Sequence, residues 1–402
     1  MKRVVITGAG TINALGRSVE ETMAAMRAGE CGIGPLDFRD VERLSIRIGG
    51  QIRGYDPAEQ FSRQQLGLFD RFTQYALLAA RQAVEQSGIA FDGDLGERSG
   101  VIIGTAGGGV STWDESYRTV YEDGKNRVHP FVVPKLMNNA AASHVSMEYG
   151  LTGPSYSVAS ACSSSNHAMG QAFAMIRSGL AQAMLTGGTE AMLCFGGVKA
   201  WEGLRVMSRE ACRPFSLGRS GMVQGEGAGM FVFEEFEHAK ARGAEILAEV
   251  VGFSMTSDAS DIVMPSRDGA ARAMRRALSD GGIAPGEVGY INAHGTGTSA
   301  NDRTECAAVL DVFGTDAGSL LISSTKSMHG HLIGGTGAVE LLACIMALRD
   351  GIVAPTIGFE APDPDCPLDV VPNEARRAHV DVAMSNAFAF GGLNAVLALR
   401  RI

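Results

Sequence analysis

Long hydrophobic runs are missing from this chain. No stretch of its 402 residues reaches about 18 consecutive apolar positions, and the longest candidate, Val339 to Leu348, is broken by Glu340, so the sequence offers no membrane-spanning helix. Charge is thin as well. Only 20% of residues are charged, and 44 acidic against 35 basic residues leave a net charge of −9, which argues against nucleic acid or an anionic membrane as the main partner. The seven cysteines (Cys31, Cys162, Cys194, Cys212, Cys306, Cys344 and Cys366) are odd in number and include no C-x-x-C pair. That spacing fits neither a disulfide framework nor a structural zinc site, so most read as buried small hydrophobes and no metal is expected. No Pro- or Ser-rich linker divides the chain, Glu360 to Pro367 being too short to separate domains. The opening MKRVVITGAG has no long apolar segment and enters a strand-like run, so a cytoplasmic protein is expected.

A dinucleotide fingerprint is also absent. Gly8-x-Gly10 precedes a helix, but Asn13 stands where the third glycine belongs and no acid follows at the end of a second strand. The pair reads instead as a tight structural turn. What is abundant is glycine, 52 residues in short clusters between apolar runs, where backbones turn sharply or approach closely. Strand-like runs (Arg3 to Ile6, Val101 to Ile103, Ala183 to Leu185, Tyr290 to Ala293, Val380 to Ser385, Ala395 to Leu399) alternate with helical periodicity at Val19 to Arg27, Phe69 to Gln86, Ala270 to Leu278 and Gly337 to Leu348. The pattern predicts an α/β protein built of two similar halves, residues 1–250 and 251–402, with Gly107 to Tyr149 as a cap.

Three motifs carry chemistry, and a fourth, near the C-terminal end, reads from its residues alone as core packing. Ser160-Ala161-Cys162-Ser163-Ser164-Ser165 sets a cysteine among small residues at the start of a helix, where the macrodipole lowers a thiol pKa. Asn292-Ala293-His294-Gly295-Thr296-Gly297-Thr298 ends a strand in glycines that let a ligand approach. Ser324-Thr325-Lys326-Ser327-Met328-His329-Gly330-His331 crowds one lysine and two histidines into an apolar context, where the ammonium needs a partner and Glu340 can supply it. Asn386-Ala387-Phe388-Ala389-Phe390-Gly391-Gly392-Leu393-Asn394 puts two aromatics before a glycine pair. A thiol, imidazoles, an ammonium and glycine-rich backbone match covalent thioester chemistry, leaving thiolysis, hydrolysis and condensation open.

Together, SACSSS, NAHGTGT, STKSMHGH and NAFAFGGLN, with GEGAGM at Gly225 to Met230, resemble the β-ketoacyl-acyl carrier protein synthases, and the resemblance covers nearly the whole chain. KAWEGLRV, CRPFS and PDPDCPLDV further resemble the nodulation-type subgroup, which tailors unusual acyl chains for lipo-oligosaccharide signals. The resemblance implies a thiolase-like fold of two βαβ-rich halves in five layers, assembled as a homodimer. It implies that Cys162 takes an acyl chain from an acyl carrier protein, with the N–H groups of Cys162 and Phe390 as oxyanion hole and Phe388 and Phe390 at the gate. His294 and His331, kept neutral, would bind the malonyl thioester and stabilise the enolate formed on decarboxylation, with Lys326 paired to Glu340. No metal or organic cofactor is implied. The pattern is broken at Asp261 and Val263, where relatives carry His and Thr, and near Arg63, where Gln64, Gly67 and Leu68 replace carrier-facing basic residues. Arg205 and Arg209 remain as docking charges. Gly107 replaces a bulky residue of some relatives and predicts a deeper acyl pocket. Among alternatives, a degradative thiolase would need a second cysteine that NAFAFGGLN lacks, a non-catalytic chain-length partner would lack Cys162, and a specialised polyketide-type ketosynthase would share every motif.

Overall fold

Ten strands frame the molecule in the computed structural model, which describes all 402 residues. They are β1 (Val4–Asn13), β2 (Ser99–Gly104), β3 (Ser155–Val158), β4 (Ala183–Glu190), β5 (Gly227–Glu235), β6 (Ala248–Ser257), β7 (Val288–Asn292), β8 (Leu321–Ser323), β9 (Val382–Ala389) and β10 (Leu393–Arg400). Their order is β8-β7-β9-β10-β6-β1-β5-β4-β2-β3. Counted outward from the centre, β1-β5-β4-β2-β3 and β6-β10-β9-β7-β8 follow one pattern, two antiparallel pairings and then two parallel ones. Only Val4 to Ile6 and Ala248 to Val250 join the two sets, where β1 meets β6.

Six helices complete the layers: α1 (Arg71–Ser87), α2 (Ala140–Tyr149), α3 (Ser164–Ser178), α4 (Arg267–Gly281), α5 (Ser299–Phe313) and α6 (Thr336–Asp350). Met169 and Phe173 of α3 and Leu341 and Ile345 of α6 share one core with Ile6, Ile102 and Phe231 on one side and Tyr290 and Leu397 on the other. These two helices form the middle layer, and α6, buried at every position from Thr336 to Leu348, is apolar on every face except at Thr336 and Glu340 because it has strands on both faces. Helices α1 and α2 cover one outer face and α4 and α5 the other. The result is the five-layer, thiolase-like α/β arrangement.

The expected helices are present with ends displaced by at most three residues, the one expected from Phe69 starting at Arg71, and Gly179 closes α3 at φ +85°. Two expectations need correction. Gly8 and Gly10 lie inside β1 rather than in a turn, and a Cβ on either would sit 2.0 Å from a carbonyl oxygen of α1, Ala83 or Ala79. They are glycine because a helix backbone rests on the strand. The last two strands are longer than expected, forming a hairpin across Phe390-Gly391-Gly392, whose glycines take φ of +82° and +66°. Gly107 to Tyr149 contains helices and no strand, but α2 within it belongs to an outer layer.

Candidate active site

The C-terminal ends of the parallel strands converge, as ligand-binding ends of α/β sheets do. Cys162 follows β3 at the head of α3, and His294 follows β7. Lys326 and His331 lie between β8 and α6, and Phe390 sits on the β9–β10 turn. Cys162 is 6% exposed, His294 3% and His331 1%. The cysteine sulfur and one ring nitrogen from each histidine all lie within 4.8 Å of one another. The imidazoles meet edge to face with centroids 5.6 Å apart, and Phe388 packs 6.2 Å from the His294 ring.

Local backbone sets each group. Ala161, before the nucleophile, is held at φ +49°, a conformation that a non-glycine residue keeps only where its surroundings enforce it. The N–H of Ile333 donates to Nδ1 of His331 at 3.2 Å, and Thr336 Oγ1 lies 2.8 Å from the same nitrogen. Nδ1 therefore accepts and the proton resides on Nε2, which is buried without a partner. An unpaired buried N–H costs about 1–3 kcal/mol, recovered when a ligand carbonyl accepts from it. The backbone N–H groups of His294 and Gly295 both donate to Glu305, at 2.8 Å, and Asn386 holds that carboxylate from the other side at 3.2 Å.

Electrostatics keep the triangle uncharged. Burial, the Lys326 ammonium and the neighbouring His331 hold His294 well below the ordinary imidazole value, and burial, Lys326 and His329 do the same for His331. Lys326 is fully buried and donates to Glu340 at 2.6 Å and to the carbonyl of His294. Burial pushes Glu340 up while this ammonium pulls it back, as a buried pair requires. The expectation of a lowered thiol pKa does not hold. Burial pushes Cys162 up to about 12, outweighing the Lys326 charge and the backbone N–H groups of Phe390 and of Cys162 itself, which favour the anion. The resting group is a thiol in a dry pocket, and its anion is favoured only by those donors.

A cavity of about 180 Å³ opens onto this triangle, lined at its mouth by Trp201, Val263, Met264, Pro265 and Phe390. Phe390 is half-buried and stacks on Trp201 with centroids 6.0 Å apart. Asp261 does not enter the cavity. It is exposed and accepts from the N–H groups of Val263 and Met264 at 2.7 and 2.8 Å, folding its own loop, while Ile262 O accepts from Gly391 N. Arg205 and Arg209 are exposed and flank Val206 of the cavity wall, whereas Arg63 opens the separate short helix Arg63–Leu66 and lies outside that wall. The space that Gly107 leaves is bordered by Met192 and Val110. A Cβ there would meet Met192 Cε at 2.2 Å and Val110 Cγ2 at 2.8 Å, so Met192, in one apolar cluster with Cys162, fills the space.

Sequence reasoning missed Glu305, Thr336, Trp201 and Glu190. Glu190, fully buried at the end of β4, accepts from the N–H groups of Ala106, Gly107 and Gly334, and its carboxyl is pushed up to about 7 by burial. An acid closing an otherwise apolar strand, LTGGTE, was the available signal.

The family descriptions "Beta-ketoacyl synthase, N-terminal domain" and "Beta-ketoacyl synthase, C-terminal domain" match residues 1–239 and 247–360. The chain is 48% identical to Nodulation protein E of Rhizobium sp. (strain N33), over 100% of both chains. It is 41% identical to 3-oxoacyl-[acyl-carrier-protein] synthase 2 of Staphylococcus aureus (strain N315), over 100% of this chain and 98% of that one. The solved ishigamide ketosynthase/chain length factor superposes with a TM-score of 0.95 at 37% identity, covering 100% of this chain and 99% of the other. The chain belongs to the β-ketoacyl synthase family of condensing acyltransferases.

Proposed function

We propose that this β-ketoacyl synthase loads an acyl chain onto Cys162 from an acyl carrier protein and extends it with malonyl-carrier protein. The carrying observation is the Cys162, His294 and His331 triangle, closed within 4.8 Å. In loading, a bond forms between Cys162 Sγ and the acyl carbon, the carrier's thioester C–S bond breaks, and the thiol proton ends on the departing carrier sulfur. In extension, the malonyl carboxylate leaves as CO₂, and the resulting enolate oxygen accepts from His294 and from Nε2 of His331. The carbanion then attacks the acyl carbon. Its oxyanion is held by the N–H groups of Cys162 and Phe390, each donor contributing about 2.7–4 kcal/mol, before the Cys162 sulfur departs and the 3-ketoacyl product forms. Neutral imidazoles suit this step because they give oriented N–H donors without protonating the enolate carbon. Lys326, neutralised by Glu340, fixes the His294 backbone and keeps both rings uncharged.

Other features support the wider reading. The edge strand β3 exposes Ser155 and Tyr156, and the helix Val110–Tyr121 exposes Trp113, Tyr117 and Tyr121. An unpaired sheet edge and an exposed apolar helix face each suit contact with a second copy of the chain. The acidic carrier meets Arg205 and Arg209 beside the cavity, with Arg63 as a more distant charge. The halves 1–250 and 251–402 supply thiol and imidazoles respectively, and the enzyme works in the cytoplasm, in fatty-acid or specialised acyl-chain elongation. The test is intact-protein mass spectrometry with acyl-carrier proteins of several lengths. A wild-type adduct absent in Cys162→Ala, and converted to a 3-ketoacyl product by malonyl-carrier protein, is the expected result. No adduct at any chain length overturns the reading.

A further inference from the structure

One buried acid joins the two sides of the active site without touching the reacting atoms. Glu190 Oε1 accepts from Thr105 Oγ1 at 3.1 Å and from Gly107 N at 3.2 Å, and Oε2 accepts from Ala106 N at 2.8 Å and from Gly334 N at 3.0 Å. The first three donors belong to the loop after β2, whose Ala106 packs in the apolar cluster that contains Cys162 and Met192. The fourth belongs to the loop that carries His331.

The two loops are seated without slack. A Cβ on Gly334 would lie 2.4 Å from Ala106 N and 2.7 Å from Glu190 Oε2. Next to Gly334, Ile333 is held at φ +49°, and its N–H is the donor that fixes the His331 tautomer. Gly334 O also accepts from Ser165 Oγ, near the head of α3. A continuous path therefore runs from the wall beside Cys162 through the Glu190 carboxylate to Ile333 N and His331 Nδ1. Met192, whose methyl fills the space at Gly107, lies only two residues beyond Glu190. An acyl chain that displaces Met192 or Ala106 acts on the donors that Glu190 also shares with the His331 loop.

We propose that Glu190 is a positioning residue that couples occupancy of the acyl pocket to the alignment of His331, so that malonyl decarboxylation is favoured only after Cys162 is loaded. The coupling rests on the condensing reading above. It needs a carboxylate, because all four partners are donors, and an amide would turn its NH₂ toward at least one N–H.

The experiment compares CO₂ release from malonyl-carrier protein by the full-length enzyme before and after loading with dodecanoyl-carrier protein, in wild type, Glu190→Gln and Thr105→Val. Loading is followed by intact mass. The wild type is expected to release CO₂ at least tenfold faster when loaded. In Glu190→Gln this ratio is expected to fall to below threefold while loading slows by less than threefold, and Thr105→Val, which removes one of the four bonds, should fall between them. Ratios equal to wild type in both variants, or loading and decarboxylation lowered in proportion, overturn the coupling. If Glu190→Gln does not fold, Thr105→Val decides by the same ratio. A wild type that never loads overturns the condensing reading instead.

Discussion

Helices α3 and α6 occupy matching places in the two halves, each following the outermost parallel strand of its set and each buried between the sheets. Their heads carry opposite chemistry. The head of α3 presents Cys162 against an apolar cluster, whereas the approach to α6 presents His331 beside the Lys326 and Glu340 pair. Burial acts on both and with opposite sign in proton terms, raising the thiol to about 12 and pulling the imidazole well below its usual value. Each group is thereby neutral at rest. One architectural position, used twice, yields a nucleophile that carries the acyl chain and a donor that receives the developing enolate.

That contrast can be broken from either side. Cys162→Ala should abolish condensation, by more than about a thousandfold, yet keep decarboxylating malonyl-carrier protein at the slower rate of the unloaded wild type, measured as CO₂ release. His331→Ala should do the reverse, lowering decarboxylation by about 10²–10³-fold, as the loss of a comparable oxyanion donor does, with the Cys162 adduct still forming by mass spectrometry. Lys326→Ala should damage the fold as well as the chemistry, costing about 3–5 kcal/mol in denaturant unfolding because Glu340 is left buried without its countercharge. Met192→Ala should shift the chain-length profile of loading several-fold toward longer acyl groups, since Met192 now fills the room beside Gly107.

The smallest effect is a pH effect. Both histidines are held well below the ordinary imidazole value by burial and Lys326, so neither is expected to limit the rate at neutral pH. Glu190, half ionised near pH 7, is mostly protonated at pH 6 and mostly carboxylate at pH 8, so the steady-state condensation rate should climb several-fold across that window and lose the slope in Glu190→Gln. Stability runs the other way. A carboxyl raised above its free value binds more proton folded than unfolded, so its contribution declines from about pH 4.5 to about pH 7.

Most of the catalytic set was legible because it is local. Cys162, His294, Lys326 and His331 each sit in a short run of glycines and small polar residues at a strand end, and Lys326 lies only fourteen positions from Glu340. Glu190 and Glu305 were not, because they act by accepting backbone N–H groups from other segments, in the case of Gly334 one 144 residues away. Gly8 and Gly10 were misread for the same reason, since the helix backbone that forbids a side chain there comes 75 and 69 residues later. The depth of the acyl pocket was also beyond local reading. Gly107 makes room, but its consequence depends on Met192, a flexible side chain from another strand end. The Cys162 thiol was misjudged because the helix head is a local feature and the burial that outweighs it is not.

The most direct measurement is the discharge of pre-loaded enzyme, followed by intact mass after adding malonyl-carrier protein to acylated wild type and acylated His331→Ala. The account predicts rapid loss of the Cys162 adduct and appearance of the 3-ketoacyl product in the wild type, with the adduct persisting in the variant. Equal discharge of both proteins would contradict the division of labour between the two helix heads.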